Sequence, residues 1–356
     1  MRRLANLFAA SAAVFLASQA QAADPQPASV ASSAAEAAAA KPLDAAEKRR
    51  AVEELATALT DNFVFPDVGV RYAAALRAHL AHGDYDALND PVAFATRVTA
   101  DLQAVSPDGH LKLFPHPADE QPPPQAARGA APAGPPHKLG LEETRMIGQV
   151  AYLRFTEFPD DPETSARARQ FLLDHADAKA VVIDSRNNHG GGLAIMNAVL
   201  PLLYAKPTTL VRMDSRVSMD GFLDGPSLKP QPAPANIYRR DHQVTPDLSE
   251  RRLQSAPVFY LVSGHTNSAA EHLALAFKRT HRATLVGETT RGAGHFGGIT
   301  NIGDRFSAFV PMGRTYDPDT DWDWEGKGVA PDVSVPADAA LDKALSLAKA
   351  AGARTQ

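Results

Sequence analysis

The segment Ser263-Gly-His-Thr-Asn-Ser-Ala-Ala-Glu271 sets a serine where chemistry is feasible. An apolar run of strand type, Val258 to Val262, leads into it, and a helix-like segment, Ala269 to Arg279, leads out. Ser268 therefore falls beside a helix N-terminus. Backbone N–H groups there lack partners and the helix dipole is positive, a setting that suits an oxyanion. A serine at such a turn is a nucleophile when a base reaches it. Serine is also a common helix N-cap, and the segment alone allows both roles. Gly287-Glu-Thr-Thr290 follows at short range.

Three further features could complete such a centre. The run Gly190-Gly-Gly192 can bring its backbone close to a substrate because no side chain intervenes, though it also makes a strand-to-helix turn. The N–H of Ala269, next to the serine, is a natural second oxyanion donor. His110 follows an Asp-Gly turn; its imidazole titrates near neutral pH and can take a proton from a hydroxyl. A loop histidine would look the same. His189, His265 and His295 lie in the same motifs, with His265 and His295 the next candidates should His110 not serve. No His-x-x-x-His or Glu-paired helical spacing argues for a metal, and neither metal nor cofactor is expected.

These residues need a scaffold. Apolar residues at Val52, Leu55, Leu59 and Phe63 recur at helical spacing, and Pro66 stops the run. Val70–His82 and Pro91–Val105 read as two more amphipathic helices, and His110–Phe114 as a strand. After a Pro-rich stretch, 114–137, come strands at Lys138–Arg145 and Gln149–Phe155. A helix is expected over Glu163–Asp177, a buried parallel strand over Ala180–Asp184, and a helix over Leu193–Tyr204. Pro207–Val217, Thr284–Gly287, Ser307–Pro311 and Val333–Val335 read as strands. Asp220–Asp247 is Pro-rich and poorly periodic, and reads as a surface excursion. The alternation of strands and helices predicts a layered α/β core behind an N-terminal helical unit.

The first residues read as a secretory signal. Arg2 and Arg3 give a positive start, Leu7 to Leu16 a short apolar stretch, and Gln19-Ala-Gln-Ala22 a small-x-small cleavage site. The apolar stretch is too short to span a bilayer. The expected organisation is signal peptide 1–22, flexible tether 23–42, helical unit 43–113, Pro-rich loop 114–137, catalytic domain 138–340 and C-terminal helix or tail 341–356. Of 356 residues none is cysteine, which excludes disulfides and thiolate metal sites. The net charge of −5, with no basic block, argues against a nucleic-acid partner.

Four blocks, in order, carry a family resemblance: Asp108-Gly-His110; Asp184-Ser-Arg-Asn-Asn-His-Gly-Gly-Gly192; Thr266-Asn-Ser-Ala-Ala-Glu271 with Gly287-Glu-Thr-Thr290; and Glu325-Gly-Lys-Gly-Val-Ala-Pro-Asp332. The chain resembles the S41 serine peptidases, the group of tail-specific (C-terminal processing) proteases, the tricorn core protease and the interphotoreceptor retinoid-binding protein modules. The resemblance implies a layered fold of the ClpP and crotonase type and hydrolysis of peptide bonds in a peptide or protein substrate. It implies Ser268 as nucleophile, His110 as base and Glu325 as its support, with Asp321, Asp323 and Glu288 as competing acids. Gly190 or Gly191, with Ala269, would form the oxyanion hole. Asp184 and Arg186 would brace the glycine turn. Trp322 and Trp324 flank Glu325 and would line a substrate wall or simply pack.

Two departures qualify the resemblance. No PDZ module is recognisable between His110 and Asp184, so the chain is more similar to the retinoid-binding-protein-like branch. In the turn Arg291-Gly-Ala-Gly294, Ala293 occupies the place where tail-specific enzymes carry a catalytic lysine. The expectation is a secreted or periplasmic serine peptidase using Ser, His and Glu. A non-catalytic module for apolar ligands and an esterase acting on small esters are the alternatives.

Overall fold

The structure is a computed structural model that describes residues 41–116, 140–216 and 225–354. The signal peptide, nearly all of the tether and most of the Pro-rich loop lie outside the described residues.

Three helices open the fold: α1 (Ala45–Asn62), α2 (Pro66–His82) and α3 (Pro91–Val105). Asp44 accepts from the N–H of Glu47 while Glu47 accepts from the N–H of Asp44, both at 2.8 Å, a reciprocal cap that fixes the start of α1. Pro66 and Pro91 each begin a helix, where a missing N–H costs nothing. Asp90 caps α3 through the N–H of Ala93 at 2.7 Å.

Then follow β1 (Lys112–Pro115), β2 (Leu141–Ile147), β3 (Val150–Phe155), α4 (Pro162–Asp174), β4 (Ala180–Asp184) and α5 (Ala194–Leu203). Next are β5 (Thr208–Ser215), β6 (Leu228–Gln231), β7 (Tyr238–Val244), β8 (Val258–Val262) and α6 (Ala269–Thr280). The chain continues through β9 (Ala283–Gly287), β10 (His295–Ile302), β11 (Phe306–Tyr316), β12 (Val333–Ser334) and α7 (Ala340–Arg354). This is an N-terminal helical region followed by an α/β domain.

Two six-stranded sheets organise these elements. In the first, the order is β12-β9-β8-β4-β3-β2, parallel from β12 to β3 with β2 antiparallel at the edge. Alternate residues of its strands face opposite layers. Leu153, Val181, Ile183, Tyr260 and Leu285 join the helices α4, α5 and α6 in one core. Tyr152, Val182, Phe259, Leu261 and Val286 meet Ala340, Ala344 and Ala348 of α7 in another. Burial on both faces explains why β4 and β8 are unbroken apolar runs.

The second sheet runs β1-β11-β5-β7-β6, with β10 also paired to β11. Leu113, Phe306, Ala308 and Val310 of this sheet pack on Leu55, Leu59, Tyr72, Phe94 and Val98 of the three helices. The helical region is therefore part of the core that carries β10 and β11.

Two expectations about this sheet need correction. Asp220–Asp247, read as a surface excursion, contains β6 and β7, and Asp241 and His242 within β7 are buried. The strand is held by ion pairs instead of an apolar stripe. Arg212 bonds Asp241 at 2.6 and 3.0 Å, and Arg239 bonds Asp214 at 2.7 and 2.8 Å across the β5–β7 ladder. Hydropathy patterning is blind to such a strand. β10 was not expected at all, and β11 continues to Tyr316, well past Pro311. Gly297 and Gly298 weaken the strand signal of β10, and a bulge between Phe296 and Gly297 breaks its period.

Candidate active site

The end of β8 and the end of β4 are stapled together. Thr266 Oγ1 donates to the carbonyl of Ser185 at 2.8 Å and accepts from the N–H of Ser263 at 2.9 Å. The N–H of Asn267 donates to the carbonyl of Asn188 at 2.9 Å. Within the β4 turn, Asp184 accepts from Arg186 Nε at 2.9 Å and from Tyr152 at 2.7 Å, while Arg186 Nη1 donates to the carbonyl of Ala337 at 2.6 Å. Asp184 and Arg186 are braces of the turn.

Ser268 stands at the top of this assembly, immediately before α6. Its φ of 52° and ψ of −119° lie where side-chain-bearing residues are strained, and such strain concentrates at functional sites. Ser268 and Glu271 form a reciprocal capping box at the start of α6, the serine side chain facing the N–H of Glu271. The Gly190 turn presses against it: a Cβ on Gly190 would sit 2.7 Å from Ser268 Cβ and 3.0 Å from the nitrogen of Ala269. Only glycine fits, and its φ of 98° demands glycine as well.

The three glycines divide their roles. The N–H of Gly190 is engaged by Asn188 Oδ1 at 2.8 Å. The Gly190 carbonyl accepts from Phe158 at 2.6 Å, and the N–H of Gly192 donates to Phe158 at 2.7 Å. Both bonds of this bridge to Phe158 are made by Gly190 and Gly192, and the N–H of Gly191 between them has no partner among the described residues. The N–H of Ala269 is likewise free. Gly191, Ser268 and Ala269 all line one cavity of about 310 Å³.

His295, at the start of β10, lines the same cavity. Its Nδ1 lies 2.7 Å from Asp108 Oδ2, and its Nε2 is buried without a partner among the described residues. Asp108 Oδ1 accepts from the N–H groups of His110 and Leu111 at 2.9 and 3.0 Å, which fixes the carboxylate. Burial alone would lower the proton affinity of His295. The hydrogen bond and charge of Asp108, with the charges of Glu325 and Asp323, outweigh it and raise the pKa. Burial likewise opposes the ionised form of Asp108, yet its bond to His295 and its backbone donors hold its pKa below the usual carboxylate value.

His110 and Glu325 sit beside the cavity in other settings. The ring of His110 stacks on Phe309 at 5.2 Å, and its Nδ1 is buried without a partner among the described residues. Burial lowers its pKa, partly offset by Asp108. Glu325 accepts from the N–H groups of Gly109 at 2.5 Å, Gly294 at 2.5 Å and His295 at 3.0 Å. It thereby ties the Asp108 turn to the start of β10. Its pKa is raised by burial and by the charge of Asp108. Trp324 is buried and lines the cavity; Trp322 is half-buried against the core. His189 and His265 are exposed. Two of the competing acids are engaged elsewhere: Glu288 accepts from the N–H of Ala337 at 3.0 Å, and Asp321 from Arg314 at 2.7 Å; Asp323 accepts from the N–H of Glu325 at 3.2 Å and adds its charge near His295.

The ligand-type atoms of Asp108, His295 and Glu325 lie within 4.8 Å of one another, a group that could hold a metal. Asp108 and His295 Nδ1 are bonded to each other and Glu325 to three backbone N–H groups, which fits a hydrogen-bonded cluster with only His295 Nε2 left over among the described residues.

Sequence reasoning gave no role to Glu271. Its buried carboxylate accepts from Thr290 Oγ1 at 2.5 Å and from the N–H groups of Gly292 at 2.6 Å, Ala293 at 2.9 Å and Ser268 at 3.0 Å. The Ser-x-x-Glu spacing at a helix start was the available signal. Glu271→Ala is expected to destabilise the fold by roughly 3 kcal/mol or more, because several buried donors lose their acceptor at once. Urea unfolding monitored by circular dichroism measures this; a loss under 1 kcal/mol would mean that water replaces the carboxylate.

Among the described residues no helix is long and apolar enough to cross a membrane. The model of peptidase family S41 matches residues 149–335, and that of the N-terminal domain of Peptidase_S41 in eukaryotic IRBP matches residues 35–149. Carboxyl-terminal-processing peptidase 3, chloroplastic, of Arabidopsis thaliana is 27% identical over 187 residues, covering 52% of this chain and 32% of the relative. The carboxyl-terminal-processing protease of Picosynechococcus sp. is 28% identical over 188 residues, 53% of this chain and 39% of the relative. The chain thus spans between a third and two fifths of these curated relatives. A solved structure from Parabacteroides merdae superposes with a TM-score of 0.58 at 14% identity, over 85% of this chain and 96% of that one, a likeness of fold. With its four motifs gathered around one serine and a family model matching 187 of its 356 residues, this chain belongs to peptidase family S41.

Proposed function

We propose that the protein is a serine peptidase in which Ser268 is the nucleophile, His295 the base and Asp108 the group that orients it. The observation that carries this reading is the Nε2 of His295, unpaired among the described residues and buried on the same cavity that Ser268 lines. With Nδ1–H donating to Asp108, the neutral ring carries its lone pair on Nε2. Ser268 Oγ attacks the substrate carbonyl as its proton passes to Nε2. The oxyanion is met by the N–H groups of Gly191 and Ala269. Collapse expels the amine, which takes the proton from Nε2, and water then hydrolyses the acyl-enzyme by the same relay in reverse. No hydrogen bond joins Nε2 to Oγ in the free protein; such bonds commonly close only when substrate is bound. Glu325 positions both loops, and His110 lies outside the relay.

A fluorophosphonate probe combined with matched peptide and ester substrates tests this reading. Covalent labelling with turnover of peptides supports it. Turnover of esters alone would make the protein an esterase, and an unlabelled protein that binds apolar ligands would make it a binding module.

The N-terminal motif supports export to the periplasm or medium. Mass spectrometry of the exported protein is expected to find Ala23 as its first residue. An intact Met1 in that fraction would exclude cleavage after Ala22.

A further inference from the structure

Behind the cavity lies a polar chain that the relay does not use. Asn197 of α5, His242 of β7 and His272 of α6 are joined in series. His242 Nε2 lies 3.0 Å from Asn197 Oδ1, and His242 Nδ1 lies 2.8 Å from His272 Nε2. Both rings are almost wholly buried. Asn197 and His272 line the cavity, with His272 one helical turn beyond Ser268. We propose that this cavity is a recognition pocket for a primary carboxamide, the side chain of glutamine or asparagine at the residue flanking the cleaved bond. The proposal rests on the reading of the cavity as a peptidase site and names its substrate class.

The chain's donors and acceptors decide what it can bind. A neutral imidazole has one of each. Burial lowers the pKa of His242 to about 4 and that of His272 well below the usual value, so both rings are neutral near pH 7. Suppose Asn197 Oδ1 accepts from His242 Nε2–H. Then His242 Nδ1 accepts from His272 Nε2–H, and His272 Nδ1 is left as an acceptor. The pocket then shows that acceptor and the N–H donors of Asn197 Nδ2. Turn the Asn197 amide over and every role reverses: His272 Nδ1–H becomes a donor and Asn197 Oδ1 an acceptor. Either way the chain ends in one donor and one acceptor. Neither His272 Nδ1 nor Asn197 Nδ2 bonds to another described residue.

A primary carboxamide carries one acceptor and one donor group in a plane, and so satisfies both ends. A carboxylate offers acceptors only, an ammonium donors only, and an aliphatic chain leaves both ends unmet. The His272 end is buried, and an unmet buried group is what makes such a site selective. The walls provided by Met213, Phe296 and Trp324 suit the methylenes that carry the amide. Asp160, the carboxylate on the lining, accepts from the N–H of Ala194 at the start of α5 at 3.2 Å and is held there.

The test reads binding, not turnover, so it stands apart from the assignment of the nucleophile. Ser268→Ala protein is titrated by calorimetry with acetyl-Ala-Ala-Xaa-Ala-Ala N-methylamides, where Xaa is Gln, Asn, Met, Leu or Glu. The N-methyl terminus keeps a second primary amide out of the peptide. The Gln or Asn peptide is expected to bind at least about tenfold more tightly than its Met or Leu isostere, the scale of one well-made hydrogen bond. His272→Phe and Asn197→Leu, each made in the Ser268→Ala background, should bring that ratio to about one. Asn197 is exposed, so its variant stays informative where the His272 variant disturbs packing. Met, Leu or Glu peptides binding as tightly as the amides, a preference that survives Asn197→Leu, or no binding by any of the five, would overturn the proposal. Failure of the nucleophile assignment would appear separately, as fluorophosphonate labelling that persists in Ser268→Ala.

Discussion

Ser268→Ala is expected to abolish fluorophosphonate labelling and to lower kcat for peptide hydrolysis roughly 10⁶-fold, the scale seen when a serine nucleophile is removed. The residual rate would come from the oxyanion donors, Gly191 and Ala269, which the substitution leaves in place. The fold should survive. The side chain contributes only its capping contact with the N–H of Glu271, worth about 1 kcal/mol, and the backbone contacts of the turn run through Thr266, Asn267 and the Ser268 N–H to Glu271. Circular dichroism and thermal melting check that point, and mass spectrometry of the labelled protein checks the site. Equal labelling of wild type and variant would exclude Ser268 as the nucleophile.

The legible and illegible parts of this site divide along sequence distance. Ser268, Ala269 and the glycine run sit in strand–turn–helix patterns whose parts are contiguous, so their placement on one cavity could be read locally. The His295–Asp108 bond joins residues 187 positions apart, through β10, a strand that two glycines hide. The sequence drew attention to His110, at the end of the Asp-Gly turn, because the resemblance puts a histidine there. The Asp two residues earlier read only as a turn former. Asp108 is both: its Oδ1 closes the turn through His110 and Leu111, while its Oδ2 reaches His295. The same logic hid β7. Its partners are Arg212 and Asp214 on β5, and ion pairs across a sheet leave no periodic apolar trace. The parallel strands β4 and β8 were legible because burial on both faces requires an uninterrupted apolar run.

The choice between the two histidines has a pH signature, because their environments push them in opposite directions. A general base works only when neutral, so kcat/KM rises with pH through the pKa of the free protein's base. The pKa of His295 is raised despite its burial, through Asp108 and the charges of Glu325 and Asp323. With His295 as base, the acid limb should therefore have its midpoint above the ordinary histidine value of about 6.5. Burial lowers the pKa of His110, so a His110 base would place that midpoint below about 6.5. Asp108→Asn should cost about 10⁴ in kcat, since the amide no longer selects the tautomer with Nε2 free. Any activity that remains should titrate at lower pH than in wild type. The linkage to stability has a definite sign. Protonated His295 stabilises the folded chain below the unfolded pKa of about 6.5, and this contribution is lost as pH rises through the raised folded value. The stability difference between wild type and His295→Gln in urea should therefore shrink from pH 6 toward pH 9. A limb centred below 6.5, abolished by His110→Ala and untouched by Asp108→Asn, would return the role of base to His110.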